Sequence, residues 1–171
     1  MSEKRVIFET ERLIVRLYSL ADEESFFRLN GDEEVVRYIR PVKTREECNL
    51  FLSEVIQYSF QHPLIGRWAV DEKITGNNVG MFAIIPVQDT EKLQLGYALL
   101  KEYWGFGYAT ELTRRGSVYF FENLDKEQVY AITEVANIPS QKVLEKCGFT
   151  VSAKYEKGEK EALEYVKVFR E

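Results

Sequence analysis

Two glycines stand two apart in Trp104-Gly105-Phe106-Gly107-Tyr108-Ala109, and the residues that follow, through Thr110 and Leu112, form a helix-compatible run. A backbone without side chains that opens straight into a helix start exposes main-chain N–H groups. With the helix dipole, roughly half a positive charge, it favours an anion such as a diphosphate. The donors would be the amides of residues 105–110. No lysine or arginine lies inside the turn, so an anion held there relies on the main chain. The same glycines serve a plain tight turn equally well. A second polar pair, Asn137 and Ser140, opens "NIPSQKVLEKCGF" and suits either helix capping or a site at that helix start. His62 is the only histidine and sits beside Pro63, so a Ser/His or Cys/His nucleophile would rest on a residue that reads as loop. The glycine turn also lacks the Lys-Ser/Thr ending of a P-loop, which disfavours a nucleotide-phosphate enzyme.

These residues need a frame, and the hydrophobic period supplies one. "RLIVRL" (12–17) alternates as a strand with Leu13, Val15 and Leu17 on one face. Ser19 with Asp22, and Thr44 with Glu47, are capping-box pairs. After the second, Cys48, Phe51, Leu52, Val55 and Ile56 fall on one helical face. "RWAVDE" and "VGMFAII" flank "ITGNN" as a hairpin, and "LQLGYALL" adds a strand. Residues 109–121 return to helical spacing, and "QVYAITEV" is again extended. Asn137, Pro139 and Gly148 bound a short helix by cap, first turn and stop. "FTVSAKY" and "LEYVKVFR" complete the chain as strands. Helices and strands alternate in one α/β unit spanning 1–171.

Composition excludes several classes. At 45% hydrophobic and 30% charged residues, the chain can build one sizeable core. A net charge of −5 argues against general nucleic-acid binding and mildly favours basic acceptors. Cys48 and Cys147 offer neither a disulfide framework nor metal-ligand spacing and read as buried hydrophobes. No apolar run reaches membrane-spanning length, and "MSEKRVIFE" has no signal-peptide core, so a cytoplasmic protein without metal or membrane partner is expected.

The ordered set "FETERLIVRL", "EEVVRYI", "GNNVG", "LGYALLKEYWGFGYATEL" and "NIPSQKVLEKCGF" resembles the GNAT N-acetyltransferases, in particular their RimJ/RimL branch. The resemblance covers about residues 7 to 170. It implies a mixed, twisted sheet of about six to seven strands with helices on both faces. The family's fourth and fifth strands, here "LQLGYALL" and "QVYAITEV", would splay to admit acetyl-CoA. Its pyrophosphate loop maps onto Trp104 to Ala109, with Gly107 and Ala109 matching, Trp104 at a usual Gln/Arg position and Phe106 replacing a frequent basic residue. Leu99 and Leu100 would pair through their backbones with the pantetheine arm, which Asn137 and Ser140 would border.

The same resemblance implies direct acetyl transfer to a neutral primary amine, with monomer or homodimer both compatible. Gln94 stands near the family's usual glutamate base and cannot take a proton; Glu134 is the substitute, acting through water, or else a solvated strand-end carboxylate. Leu144 occupies the usual tyrosine acid position, which leaves Ser140 to assist the departing thiolate. An N–H near Leu99 would stabilise the tetrahedral oxyanion. Tyr38, Tyr58 and Trp68 are candidates for the acceptor side, or ordinary core and rim aromatics. The other class compatible with Gln94 and Leu144 is a catalytically weak acyl-CoA-binding sensor or scaffold.

Overall fold

Short β-branched and aromatic runs separated by polar turns build one sheet, and two amphipathic helical regions cover it. The computed structural model describes residues 5–169; Met1 to Lys4 of the opening segment and Arg170 of the last strand-forming run lie outside the described residues. In chain order the elements are β1 (Val6–Glu9), β2 (Leu13–Arg16), α1 (Glu23–Asn30), α2 (Glu33–Val36) and α3 (Arg45–Gln61). Then come β3 (Gly66–Glu72), β4 (Asn78–Pro86), β5 (Leu93–Leu99), α4 (Tyr108–Asn123), β6 (Gln128–Glu134), α5 (Ile138–Lys146), β7 (Thr150–Lys157) and β8 (Lys160–Val168).

The sheet order is β1-β2-β3-β4-β5-β6-β8-β7, with every neighbouring pair antiparallel except β5 and β6. Among the described residues the sheet has eight strands, one more than the upper end of the expected six to seven. The additional one, β1, is four residues with only Phe8 buried, too short for its alternation to stand out.

Antiparallel partners share a face, so the register sorts the side chains. Trp68, Phe82, Ile84, Leu95 and Leu99 point to one side and join Leu112, Phe120 and Leu144 of α4 and α5 in one core. Ala69, Met81 and Ala98 point to the other and pack under Phe26, Leu29, Leu52 and Val55 of α1 and α3. The capping box at α3 forms as expected, with Glu47 N donating to Thr44 Oγ1 at 3.2 Å and Thr44 N to Glu47 Oε2 at 2.8 Å.

Arg16 departs from the simple alternation. Its position on β2 lies beneath the first helical layer, so its guanidinium is buried, held by Asp22 at 2.8 Å and Asp71 at 2.5 Å. Asp22 was legible only as a cap residue; here the same carboxylate also neutralises a buried cation.

Candidate active site

The sheet is nearly interrupted between β5 and β6. β4 follows β5 in register from Gly80↔Leu99 to Pro86↔Leu93, whereas β5 meets β6 at the single pair Gln94↔Tyr130. Beyond that pair the two parallel strands diverge toward their C-terminal ends, where ligands bind in open α/β sheets. Both ends lead into helix starts: β5 into the glycine turn and α4, β6 into α5.

The glycine turn is shaped by conformation. Gly105 and Gly107 take φ of 82° and 81°, left-handed values that a side chain makes costly, and no atom lies within 4 Å of where a Gly105 Cβ would stand. Gly107 is the N-cap of α4 and supplies no side-chain acceptor. The first-turn amides of Tyr108, Ala109 and Thr110 therefore have neither an intrahelical partner nor a capping side chain. At α5, by contrast, Asn137 Oδ1 accepts from Ser140 N at 3.3 Å.

A basic residue distant in sequence supports the turn. Arg12, from the β1–β2 loop, donates through Nη1 to the Phe106 carbonyl at 2.9 Å and lies over the Tyr108 ring. Its N and Nε also donate to Glu111, at 2.8 and 2.7 Å. Burial opposes ionisation of Glu111, but hydrogen bonds from Thr10 and Arg12 outweigh it and hold the carboxyl below the usual range. A cavity of about 740 Å³ extends from Gly107 and Thr110 along α4, lined by Arg12, Arg114, Arg115 and Lys146. These cations lie outside the glycine turn and were not assigned from the sequence. The Arg114-Arg115 pair, one turn beyond Glu111, was the visible signal.

The remaining turn residues anchor it. The Trp104 ring is half-exposed, yet its Nε1 donates to the Leu99 carbonyl at 2.8 Å. Phe106 is exposed, and the buried Tyr108 donates its hydroxyl to Glu72, a bond that raises the phenol's pKa. Ala109 packs against the core, and the Thr110 carbonyl accepts from the Cys147 thiol at 3.6 Å. Leu100 N donates to Val79 O, and Leu100 O accepts from Tyr103 N. By the alternation of antiparallel pairing, Leu99 therefore turns its N–H toward the divergence. Of the two leucines, that amide is the group left for a ligand.

Across the divergence, Ser140 of α5 lies near enough to the Tyr97 hydroxyl of β5 to influence its ionisation. Burial raises the Tyr97 pKa, and the nearby Ser140 hydroxyl offsets part of that rise. Tyr97 belongs to the strand "LQLGYALL", where nothing local in the sequence sets it apart. Leu144 is buried in the core, and Gln94 marks the last paired residue before the strands part. Glu134 ends β6, with its carboxylate 3.1 Å from Lys160 Nζ. Trp68 is wholly buried between Phe82 and Tyr119, so it is core and not acceptor rim. Tyr58 stacks on His62, and Tyr38 lies beneath Arg37.

Comparison with known proteins bears on this arrangement. Residues 12–150 match the family model for the acetyltransferase (GNAT) domain. The uncharacterized N-acetyltransferase YoaA of Bacillus subtilis (strain 168) is 27% identical over 146 residues, covering 84% of this chain and 82% of YoaA. RimL, a ribosomal L7/L12 alpha-N-protein acetyltransferase, superposes in its apo form with a TM-score of 0.81 at 14% identity, over 97% of this chain and 95% of RimL. Spermidine N-acetyltransferase from Vibrio cholerae, solved with CoA and spermine, gives a TM-score of 0.75 at 19% identity, over 92% and 95% of the two chains. Structural likeness at these identities shows the fold. Among the described residues no helix is long and apolar enough to cross a membrane, and no His/Cys/Asp/Glu group is arranged to hold a metal.

Proposed function

The chain belongs to the GNAT acetyltransferase family, and from that premise we propose that it transfers acetyl from acetyl-CoA directly to a primary amine. The observation that carries this is the parting of β5 and β6 after Gln94↔Tyr130 beside a helix whose N-cap is a bare glycine. The amides of 105–110 receive the coenzyme's pyrophosphate, and the cations Arg12, Arg114, Arg115 and Lys146 line the adjoining cavity. The Leu99 amide faces the divergence, suited to the pantetheine arm or to the developing oxyanion, a contact of a few kcal/mol in comparable sites, about 3.

The incoming amine attacks the thioester carbonyl, the tetrahedral centre collapses and CoA leaves as thiolate. The amine must be neutral to attack. For a protein N-terminus, pKa about 7.7–8.0, deprotonation near pH 7 costs only about 1 kcal/mol; for lysine, at about 10.4, it costs roughly 4–5 kcal/mol. A weak base suffices for the first. Glu134 serves through a water, its carboxylate lying 3.1 Å from Lys160 Nζ at the end of β6. The thiolate needs modest help, since a thiol pKa is about 8.5. Ser140 provides it, with Tyr97 behind it to replace the proton. A protein N-terminal α-amine, as for the RimJ/RimL branch, and a small-molecule amine are both acceptors of this chemistry.

Thiol release from acetyl-CoA across a panel of N-terminal peptides and small amines tests the proposal. Amine-dependent release supports it. Tight acetyl-CoA binding without release by any amine would instead make the protein a sensor or scaffold, the class also compatible with Gln94 and Leu144. Absence of coenzyme binding overturns both.

A further inference from the structure

Against the face of the sheet opposite α4, Arg67, Arg40 and Lys43 gather with no acid to balance them among the described residues. Arg67 of β3 is opposite Ala83 of β4, which is opposite Gly96 of β5, so these three side-chain positions share one face and one row. That row ends two residues from Gln94, where the sheet opens. A Cβ at Gly96 would meet nothing within 4 Å, which leaves a hollow between Arg67 and the divergence.

Arg40, from the segment after α2, comes to the same place. Arg40, Arg67 and Lys43 Nζ all lie 5.3–5.4 Å from the centre of the Phe51 ring. Among the described residues, none of the three forms an ion pair. Arg40 reaches only the neutral Asn30 Oδ1, at 2.7 Å. Arg67 Nε is buried without a hydrogen-bond partner, and so is the hydroxyl of Tyr18, in the cluster that Phe51 packs against. Burial, then repulsion from Arg67, lowers the Arg40 pKa, so the two guanidinium groups oppose one another. One aromatic ring compensates such charge only in part. The nearby Arg16 is different: Asp22 and Asp71 saturate it.

Desolvated cations and orphaned donors on a half-open face are the makings of an oxyanion site, and guanidinium groups match carboxylates and phosphates in shape. We infer that the acceptor is a primary amine that also carries an oxyacid anion, a carboxylate or phosphate, which Arg67 and Arg40 receive. This deepens the acetyltransferase proposal and rests on it for the identity of the cleft. Two strand spacings, roughly 10 Å, separate β3 from β5, and the arginine side chains span part of that distance. The anion and the amine of one small molecule or one peptide end therefore fit between the cation cluster and the divergence.

Matched acceptors test the inference. 4-Aminobutyrate is compared with 4-aminobutyramide, phosphoethanolamine with ethanolamine, and a free-acid dipeptide with its amide, with spermidine as the polycationic extreme. The anionic member of at least one pair should give kcat/KM about tenfold higher or more, the scale of one charge-assisted hydrogen bond. In Arg67→Gln and Arg40→Gln that preference should vanish through KM. Acetyl-CoA affinity by calorimetry should stay as in the parent, and Tm should not fall, because an unpaired, half-buried charge has been removed. Arg67→Lys, which keeps the charge, should retain part of the preference. Preference for neutral or cationic acceptors, unmoved in Arg67→Gln, overturns the inference while leaving the acetyltransferase intact. If no amine is acetylated, thermal shift with the same compounds decides. Stabilisation by the anionic members alone, lost in Arg67→Gln, supports the site; its absence rejects it.

Discussion

Arg12 holds Glu111 from two nitrogens, Nε and Nη2, each 2.7 Å from Oε2, and in doing so clamps the β1–β2 loop to the first turn of α4. The same guanidinium reaches the Phe106 carbonyl, so the glycine turn is set partly by a residue more than ninety positions earlier. Arg12→Ala should raise the CoA dissociation constant about threefold to tenfold, the scale of one surface-to-buried ionic contact, measurable by calorimetry. The Glu111 carboxyl has a lowered pKa in the folded state. Its stabilisation is thus present above the unfolded value, about 4.3, and lost as pH falls through the lower folded one. The Tm difference between the parent and Glu111→Gln should be full at pH 7 and close on acidification below about pH 4.

Gly107→Ala places a methyl at φ 81°, near Arg12 Nη2 at 3.5 Å, an ordinary contact. The conformational cost alone should be about 1–2 kcal/mol of stability. CoA affinity should fall further than stability does, because any relaxation re-aims the first-turn amides. Chemical denaturation and calorimetry on one variant separate the two effects.

Ser140→Ala should lower kcat about tenfold to a hundredfold while leaving KM for acetyl-CoA close to the parent, since the serine assists only the leaving group. Tyr97→Phe should act in the same direction more weakly and shift the alkaline limb of the kcat–pH profile. Glu134→Gln should reduce kcat mainly below the acceptor amine's pKa, where a proton must be removed. If kcat/KM against pH is unchanged in all three, these assignments fall together.

Gly116→Ala tests packing apart from chemistry. Its Cβ would stand 2.2 Å from Phe82 Cζ, inside the core between α4 and β4. Overpacking of this kind costs about 1–3 kcal/mol. Urea denaturation should show the loss, and coenzyme affinity should move less than in Gly107→Ala.

The sequence made plain those features that local chemistry dictates. The Thr44–Glu47 box, the buried face of α3, the "ITGNN" hairpin and the Asn137 cap all form where spacing and turn residues placed them. What escaped depended on residues far apart in the chain. Arg16 looked like the polar half of a strand because nothing local announces that α1 will cover it. Arg12 gave no sign that it would brace a turn at residue 106. Arg40 and Arg67 are 27 positions apart, and only the register of β3 with the packing of α3 gathers them around Phe51. Trp68, read as acceptor rim or core, is core because strand parity points it at α4.

The lone Gln94–Tyr130 junction has a mechanical consequence. Five strands form one hydrogen-bonded panel and three form another, and past that junction no backbone ladder binds them. A cosubstrate lying in the seam, bonded to Leu99 on one side and close to Ser140 on the other, would act as a rivet between the panels. Amide exchange at the seam should then slow on both sides together when CoA is added, and quicken together as product departs.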